Sequence, residues 1–418
     1  MLTWPLAGAE APGDGSPPPP RDSMVAITAD ARSDARVIGL VSVAHFFSHF
    51  YFLVLPPLFP VLKETYGVSF AALGLLMSAM NIGTGLLQPL MGVVVDRIGG
   101  KTVLIWGLAL HAAAMGAIGF TSSYVAILLL MGLAGIANSV YHPADYAILS
   151  ASIDKRRIGR AFSIHTFAGY LGFAVAPVVI AALTVPLGWR GALVASGVAG
   201  LVSAAALLWY KDALAEERSP ANAKAGAGLG GDLLKSPAIW ISFLFFILIA
   251  AASSGLNGFS VSALDLMWET PFWAATTGLS AYLFAGAAGV LVGGYIADRT
   301  ARHGTVAVLC LLGTAAMFAV VAIVDLGIAG LMAVMALTGL LNGVIQPSRD
   351  MMVRAVTPPG SIGKVFGFVT SGFNVGGAIA PLGYGALLDH GEAAAIFWVI
   401  AALNLLAIGT VVSVRWRR

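Results

Sequence analysis

Apolar residues run in long, nearly unbroken stretches from Val37 to about Val414, separated by short polar breaks. A helix needs about 20 apolar residues to cross the hydrocarbon core of a bilayer. Twelve stretches meet that length: roughly 37–62, 70–95, 102–121, 123–149, 158–186, 189–210, 237–263, 273–297, 304–325, 327–355, 361–388 and 393–414. Each predicts one membrane-spanning helix. The alternation of apolar and polar residues that marks an outer-membrane strand is absent. Residues 1–36 break the pattern, with Pro17 to Pro20 in a row and scattered charges, and predict a disordered tail. They lack the architecture of a signal peptide, and Met24 is a second candidate start. The one long polar interval, 211–236, holds Lys211, Asp212, Glu216, Glu217, Arg218, Lys224, Asp232 and Lys235. It predicts a linker between a six-helix bundle at 37–210 and a second at 237–418.

Composition sharpens the class. The 418 residues are 58% apolar and 10% charged, against about 45–50% and about 25% in soluble domains. That excludes a disordered chain and an ordinary soluble enzyme. Cys310 is the only cysteine, so no disulfide framework exists. The net charge is +3, but its placement carries the meaning. With the N-terminus inside, all but three of the 23 Lys and Arg fall on the cytoplasmic side; the exceptions are Lys63, Arg190 and Arg349. This positive-inside bias predicts a bacterial inner-membrane protein with both termini cytoplasmic. It accounts for the basic residues without a nucleic-acid partner.

The two halves repeat. Asn138 to Pro143 aligns with Asn342 to Pro347, Gly159-Arg-Ala-Phe162 with Gly363-Lys-Val-Phe366, and Pro177 with Pro381, all at one offset. Gly92 to Arg97 aligns with Gly294 to Arg299 at an offset two residues shorter. Four matches in order predict a duplication with parallel topology. The predicted fold is therefore an all-α polytopic membrane protein: twelve transmembrane helices in two six-helix bundles related by a pseudo-twofold axis.

The run Gly92-Val-Val-Val-Asp96-Arg97-Ile-Gly99-Gly100-Lys101 resembles the loop signature of the major facilitator superfamily, with a degenerate copy at Gly294 to Gly304. The segment Ser139-Val-Tyr141-His142-Pro143, followed by a glycine-rich fifth helix, is similar to the fosmidomycin-resistance group of exporters. The chain departs from the superfamily in one place: Leu130-Met-Gly132-Leu-Ala-Gly135 has no Arg before its glycines. The resemblance implies alternating access, with helices 1, 4, 7 and 10 lining a central cavity. It also implies gating roles for Gly92, Asp96, Arg97, Gly99, Asp298 and Arg299. Asp96 is expected to latch to the start of helix 11 near Ser361 to Gly363, and Asp298 to the start of helix 5 near Ile158.

Ionisable residues inside spans are costly and mark function by default. Asp145 and Arg349 occupy equivalent positions of the repeat, so they are expected to face each other across the cavity and to pair when substrate is absent. Histidine titrates near neutral pH. His142 lies three residues from Asp145, and His45 four from His49, so each pair shares a helical face. His165, Tyr141, Tyr170, Asn257 and Gln346 complete the candidate lining. His111 stands alone and is expected to be structural. A zinc site from these histidines is an alternative, but their spacing also arises from any shared polar face, so no metal is expected. No cofactor is expected either. Small residues, among them Gly132, Gly135, Gly169, Gly172, Gly376 and Gly377, are expected at helix contacts. Pro143 and Pro347 are expected to kink helices 4 and 10. No phosphate-binding loop is present, so ATP is not the energy source. The expectation is a monomeric, non-enzymatic secondary transporter that exports an organic anion or drug-like solute by proton antiport. Proton symport of a small carboxylate or a metal chelate is the alternative.

Overall fold

The computed structural model describes residues 21–154, 157–214, 235–358 and 362–413. Every regular element among them is a helix. The first runs Arg21–Phe50 and continues through 3-10 turns at Tyr51–Leu53 and Pro56–Leu58 into Phe59–Tyr66. Pro56, Pro57 and Pro60 lack the N–H that an unbroken α-helix needs there. The span Asp34–Tyr66 is α1. Residues 21–36 are thus helical, where a disordered tail was expected. They contain no Pro or Gly and four alanines, so the helix extends backward from the membrane at little cost.

The following spans are α2 (Phe70–Ile98), α3 (Gly100–Phe120) and α4 (Tyr124–Ser152). The continuous stretch Ile158–Trp209 comes next. Its 52 residues would reach about 78 Å as one rod at 1.5 Å per residue, more than twice the hydrocarbon core. Gly188, at φ 65° and ψ 167°, turns the chain back on itself, dividing it into α5 (158–187) and α6 (189–209). The second half comprises α7 (Pro237–Trp268), α8 (Phe272–Arg299), α9 (His303–Ile323), α10 (Gly327–Val356), α11 (Val365–Asp389) and α12 (Ala393–Ser413). Most of the expected linker, 215–234, lies outside the described residues.

Packing repeats the duplication seen in the sequence. In the first half α1 lies on α5, α2 on α4, and α3 on α6; in the second α7 lies on α11, α8 on α10, and α9 on α12. Small residues bring these backbones together. A Cβ on Gly135 would strike the Met80 carbonyl, one on Gly172 the Phe46 carbonyl, and one on Gly376 the Ile247 carbonyl. Gly132, by contrast, faces open space. Asn138 donates to Thr84 Oγ1 at 3.3 Å, tying α4 to α2. α4 breaks at Ser139–Val140, between Tyr124–Asn138 and Tyr141–Ser152, because Pro143 has no N–H for the Ser139 carbonyl. The equivalent α10 stays helical through Pro347, so only Pro143 accompanies a break in the helix.

The halves meet along α2 and α11, and where α8 lies on the α5–α6 stretch. Contact is closest at one end. A Cβ on Gly74 would strike the Pro381 carbonyl, and one on Gly385 the Phe70 carbonyl. There Asp389, at the end of α11, accepts from the Phe70 N–H at 2.7 Å and the Ala71 N–H at 2.8 Å, and stands 3.5 Å from Lys63 Nζ. A carboxylate from one half thus caps a helix of the other. Toward the opposite end, Gly92 on α2, Gly159 on α5, Gly294 on α8 and Gly367 on α11 have nothing within 4 Å of a built Cβ.

Losing a cap costs about 0.5–2 kcal/mol. Asp389→Ala is expected to shift the population away from this arrangement by about 2–30-fold. Spin labels at Glu64→Cys and Glu392→Cys, in a Cys310→Ala background, should then report a longer inter-half distance; an unchanged distribution would count against the clasp.

Candidate functional site

The first half buries one carboxylate among four imidazoles. Asp145, on the second segment of α4, has no exposed surface. His165 on α5 places Nε2 2.9 Å from Asp145 Oδ2. His45 on α1 places Nδ1 3.3 Å from the same oxygen, without hydrogen-bond geometry. The rings of His45 and His165 stack at 3.7 Å. His49, one turn along α1, stands 4.6 Å from His45, and His142, one turn before Asp145, stands 5.2 Å from it. His49 and His142 are half-buried while His45 and His165 are buried.

Gly169 explains how α1 and α5 come this close. A Cβ there would lie 2.7 Å from His45 Nε2 and 2.8 Å from His49 Cδ2. The cluster is under-bonded: His45 Nδ1, His49 Nδ1, His142 Nδ1, His165 Nδ1 and Asp145 Oδ1 are buried without a hydrogen-bond partner. Native interiors leave few such groups.

Arg349 is elsewhere. Its Nε donates to Asp350 Oδ1 at 2.9 Å. Its guanidinium lies 4.7 Å from the Phe246 ring of α7 and 5.5 Å from the Phe373 ring of α11. The expected Asp145–Arg349 pair is therefore not formed. Each group finds its complement within its own half, Asp145 in two histidines and Arg349 in its sequence neighbour. Beside Arg349 the halves are also bridged by Tyr170 on α5, whose hydroxyl donates to Gln346 Oε1 on α10. Gln346 lies three residues before Arg349, on the same helical face.

Two candidates stand apart from the histidine cluster. The Tyr141 hydroxyl sits 3.3 Å from His111 Nδ1, and both residues are buried. Asn257 on α7 has a buried, unpartnered Oδ1. At the other site, Asp96, Arg97, Asp298 and Arg299 are exposed, Gly92 faces open space, and Gly99 turns the chain at φ 95°. Arg299 stacks on Tyr295 at 3.7 Å. Among the described residues neither Asp96 nor Asp298 forms an ion pair. The expected Asp96 partner includes Ser361, which lies outside the described residues. Sequence reasoning missed Asp389 and the Asp34–Arg157 pair at 3.1 Å, which ties the start of α1 to that of α5.

The family model described as "Major Facilitator Superfamily" matches residues 41–326 and 258–418. The chain belongs to the major facilitator superfamily. The fosmidomycin resistance protein of Escherichia coli (strain K12) is 24% identical over 408 residues, covering 94% of this chain and 96% of that protein. An uncharacterised MFS-type transporter of Bacillus subtilis (strain 168), YfnC, is 26% identical over 381 residues, covering 89% and 91%. A solved bacterial homologue of the human lysosomal transporter Spinster, in an inward-facing and unoccupied conformation, superposes with a TM-score of 0.75 at 15% identity, covering 92% of this chain and 99% of that one. This superfamily member is thus a multi-pass membrane protein and a secondary transporter of small molecules, not an enzyme.

Proposed function

We propose that this transporter exports an organic anion or drug-like solute in exchange for protons, as a monomer in the bacterial inner membrane. Both termini would be cytoplasmic, as the positive-inside bias favours. On that orientation the end closed by Asp389 on the start of α2 faces outward, and the Asp96 end faces the cytoplasm. The observation that carries the reading is Asp145, fully buried and held 2.9 Å from His165 and 3.3 Å from His45. A lone carboxylate there would be costly. A proton shared among Asp145, His165 and His45 removes that cost, and losing it restores it.

The substrate would meet Arg349, whose planar fork suits carboxylate and phosphonate groups. Asp350 is half exposed and free to swing away when an anion takes its place. The two sites communicate along α5 and α10. His165 and Tyr170 share α5, Tyr170 bonds Gln346, and Gln346 shares α10 with Arg349. A proton that moves α5 would strain the Tyr170–Gln346 bond that ties it to the substrate's helix. Likeness to a fosmidomycin resistance protein supports a drug-like solute. Proton symport of a small carboxylate would use the same guanidinium. Everted vesicles set against whole cells separate the two: extrusion without proton-driven uptake into cells supports export, and uptake into cells supports symport.

Arg349→Ala is expected to weaken binding of an anionic substrate such as fosmidomycin by about 10–100-fold, from the loss of about 1.5–3 kcal/mol of charged hydrogen bonding. Isothermal titration of purified protein measures it. Unchanged affinity would remove Arg349 from the site.

A further inference from the structure

The orphaned atoms of the first half share one place. Four imidazole nitrogens and one carboxylate oxygen are buried without partners around Asp145. A single proton completes one of these bonds; a cation that accepts lone pairs completes several at once. His45, Asp145 and His165 each offer one donor atom, and these atoms lie within 4.8 Å of one another. Tetrahedral zinc, with bonds of 2.0–2.1 Å, sets its ligand atoms about 3.3 Å apart. Asp145 Oδ2 lies 2.9 Å from His165 Nε2, to which it is hydrogen-bonded, and 3.3 Å from the unpartnered His45 Nδ1; the stacked His45 and His165 rings must rotate for both nitrogens to face one ion. His49 and His142, half-buried and adjacent in the ring cluster, stand where a fourth ligand is needed.

The donor set is imidazole with one carboxylate and no thiolate, since Cys310 lies on α9 in the other half. Such a set favours late first-row divalent metals over calcium, magnesium or copper(I). The three ligands come from α1, α4 and α5, which convergence in space, not sequence spacing, brings together.

We propose that His45, Asp145 and His165 form a binding site for a late first-row divalent cation of the zinc class, with His49 or His142 completing its shell. The bound cation would clamp α1, α4 and α5 together and occupy the groups otherwise open to protons. The inference goes beyond the transport reading and rests on the cluster geometry alone, so its failure leaves that reading intact.

The test uses full-length protein, purified without a polyhistidine tag and stripped with chelator, then titrated with Co²⁺ and Zn²⁺. One saturable site is expected, with a visible Co²⁺ absorption band that Zn²⁺ displaces. D145N and H165Q should each weaken it by at least about 10-fold, whereas H390Q, altered at an exposed histidine, should not. Absence of saturable binding, or unchanged binding in both variants, would overturn the site. X-ray absorption at the zinc edge of the unaltered protein needs no variant. At least two imidazole ligands are expected, and a shell with fewer rejects the proposal.

Discussion

Asp145→Asn should reduce flux driven by a pH gradient by about 100-fold or more, the effect expected when a positioned proton-transfer group is removed. The fold should survive. Asparagine matches the volume of aspartate, and its oxygen still accepts from His165 Nε2, now 2.9 Å from Asp145 Oδ2. What is lost is a charge that changes with protonation. Substrate exchange at equal pH needs no net proton movement, so it should continue near the unaltered rate. Proteoliposomes with an internal pH indicator measure both processes in one preparation. Wild-type proton-driven flux in this variant would refute the coupling role of Asp145, and loss of exchange as well would point to a folding defect instead.

The second large effect is structural. Gly172→Val should abolish accumulation of folded protein, because its Cβ would be driven into the Phe46 carbonyl and would lie 3.0 Å from the Phe50 N–H. Both obstacles are backbone, which cannot rotate aside. Overpacking of this kind costs about 1–3 kcal/mol or more, and here it also prises α1 from α5, the helices that carry His45 and His165. Gly383→Val is the matched control: Gly383 lies on α11 with nothing within 4 Å of its Cβ and should be tolerated. Fluorescence-detected size exclusion of tagged protein compares the two. A monodisperse Gly172→Val peak at the unaltered height would show that the α1–α5 contact yields.

The fold was legible from the chain because membrane insertion forces the sequence to declare its spans. A segment crossing lipid must be apolar along its length, and duplication writes the same landmarks twice. Even the α5–α6 turn falls between the expected stretches 158–186 and 189–210. The site was legible as a set of residues but not as a set of pairs. The repeat equates the depth and face of Asp145 and Arg349, and it says nothing of which neighbours lie closer. His165 lies 20 residues from Asp145 in the chain, and only the close approach of helices lacking Cβ atoms brings the two together. Arg349 is satisfied by its own neighbour Asp350, the shortest route available to a guanidinium. Asp389 went unnoticed because a carboxylate at a helix end reads as an ordinary membrane boundary. Its meaning depends on the start of α2 lying beneath it.

Gly188 leaves α5 and α6 with almost no connecting chain: α5 ends at 187 and α6 starts at 189. Two rods joined by a single residue transmit displacement without slack. Any tilt that moves the histidine on α5 must drag α6, and with it α3, as one lever. The compliant point then lies elsewhere in the bundle, at the interruption of α4 beside Val140. The molecule would flex near its buried charges, where a change of one proton has the greatest mechanical advantage.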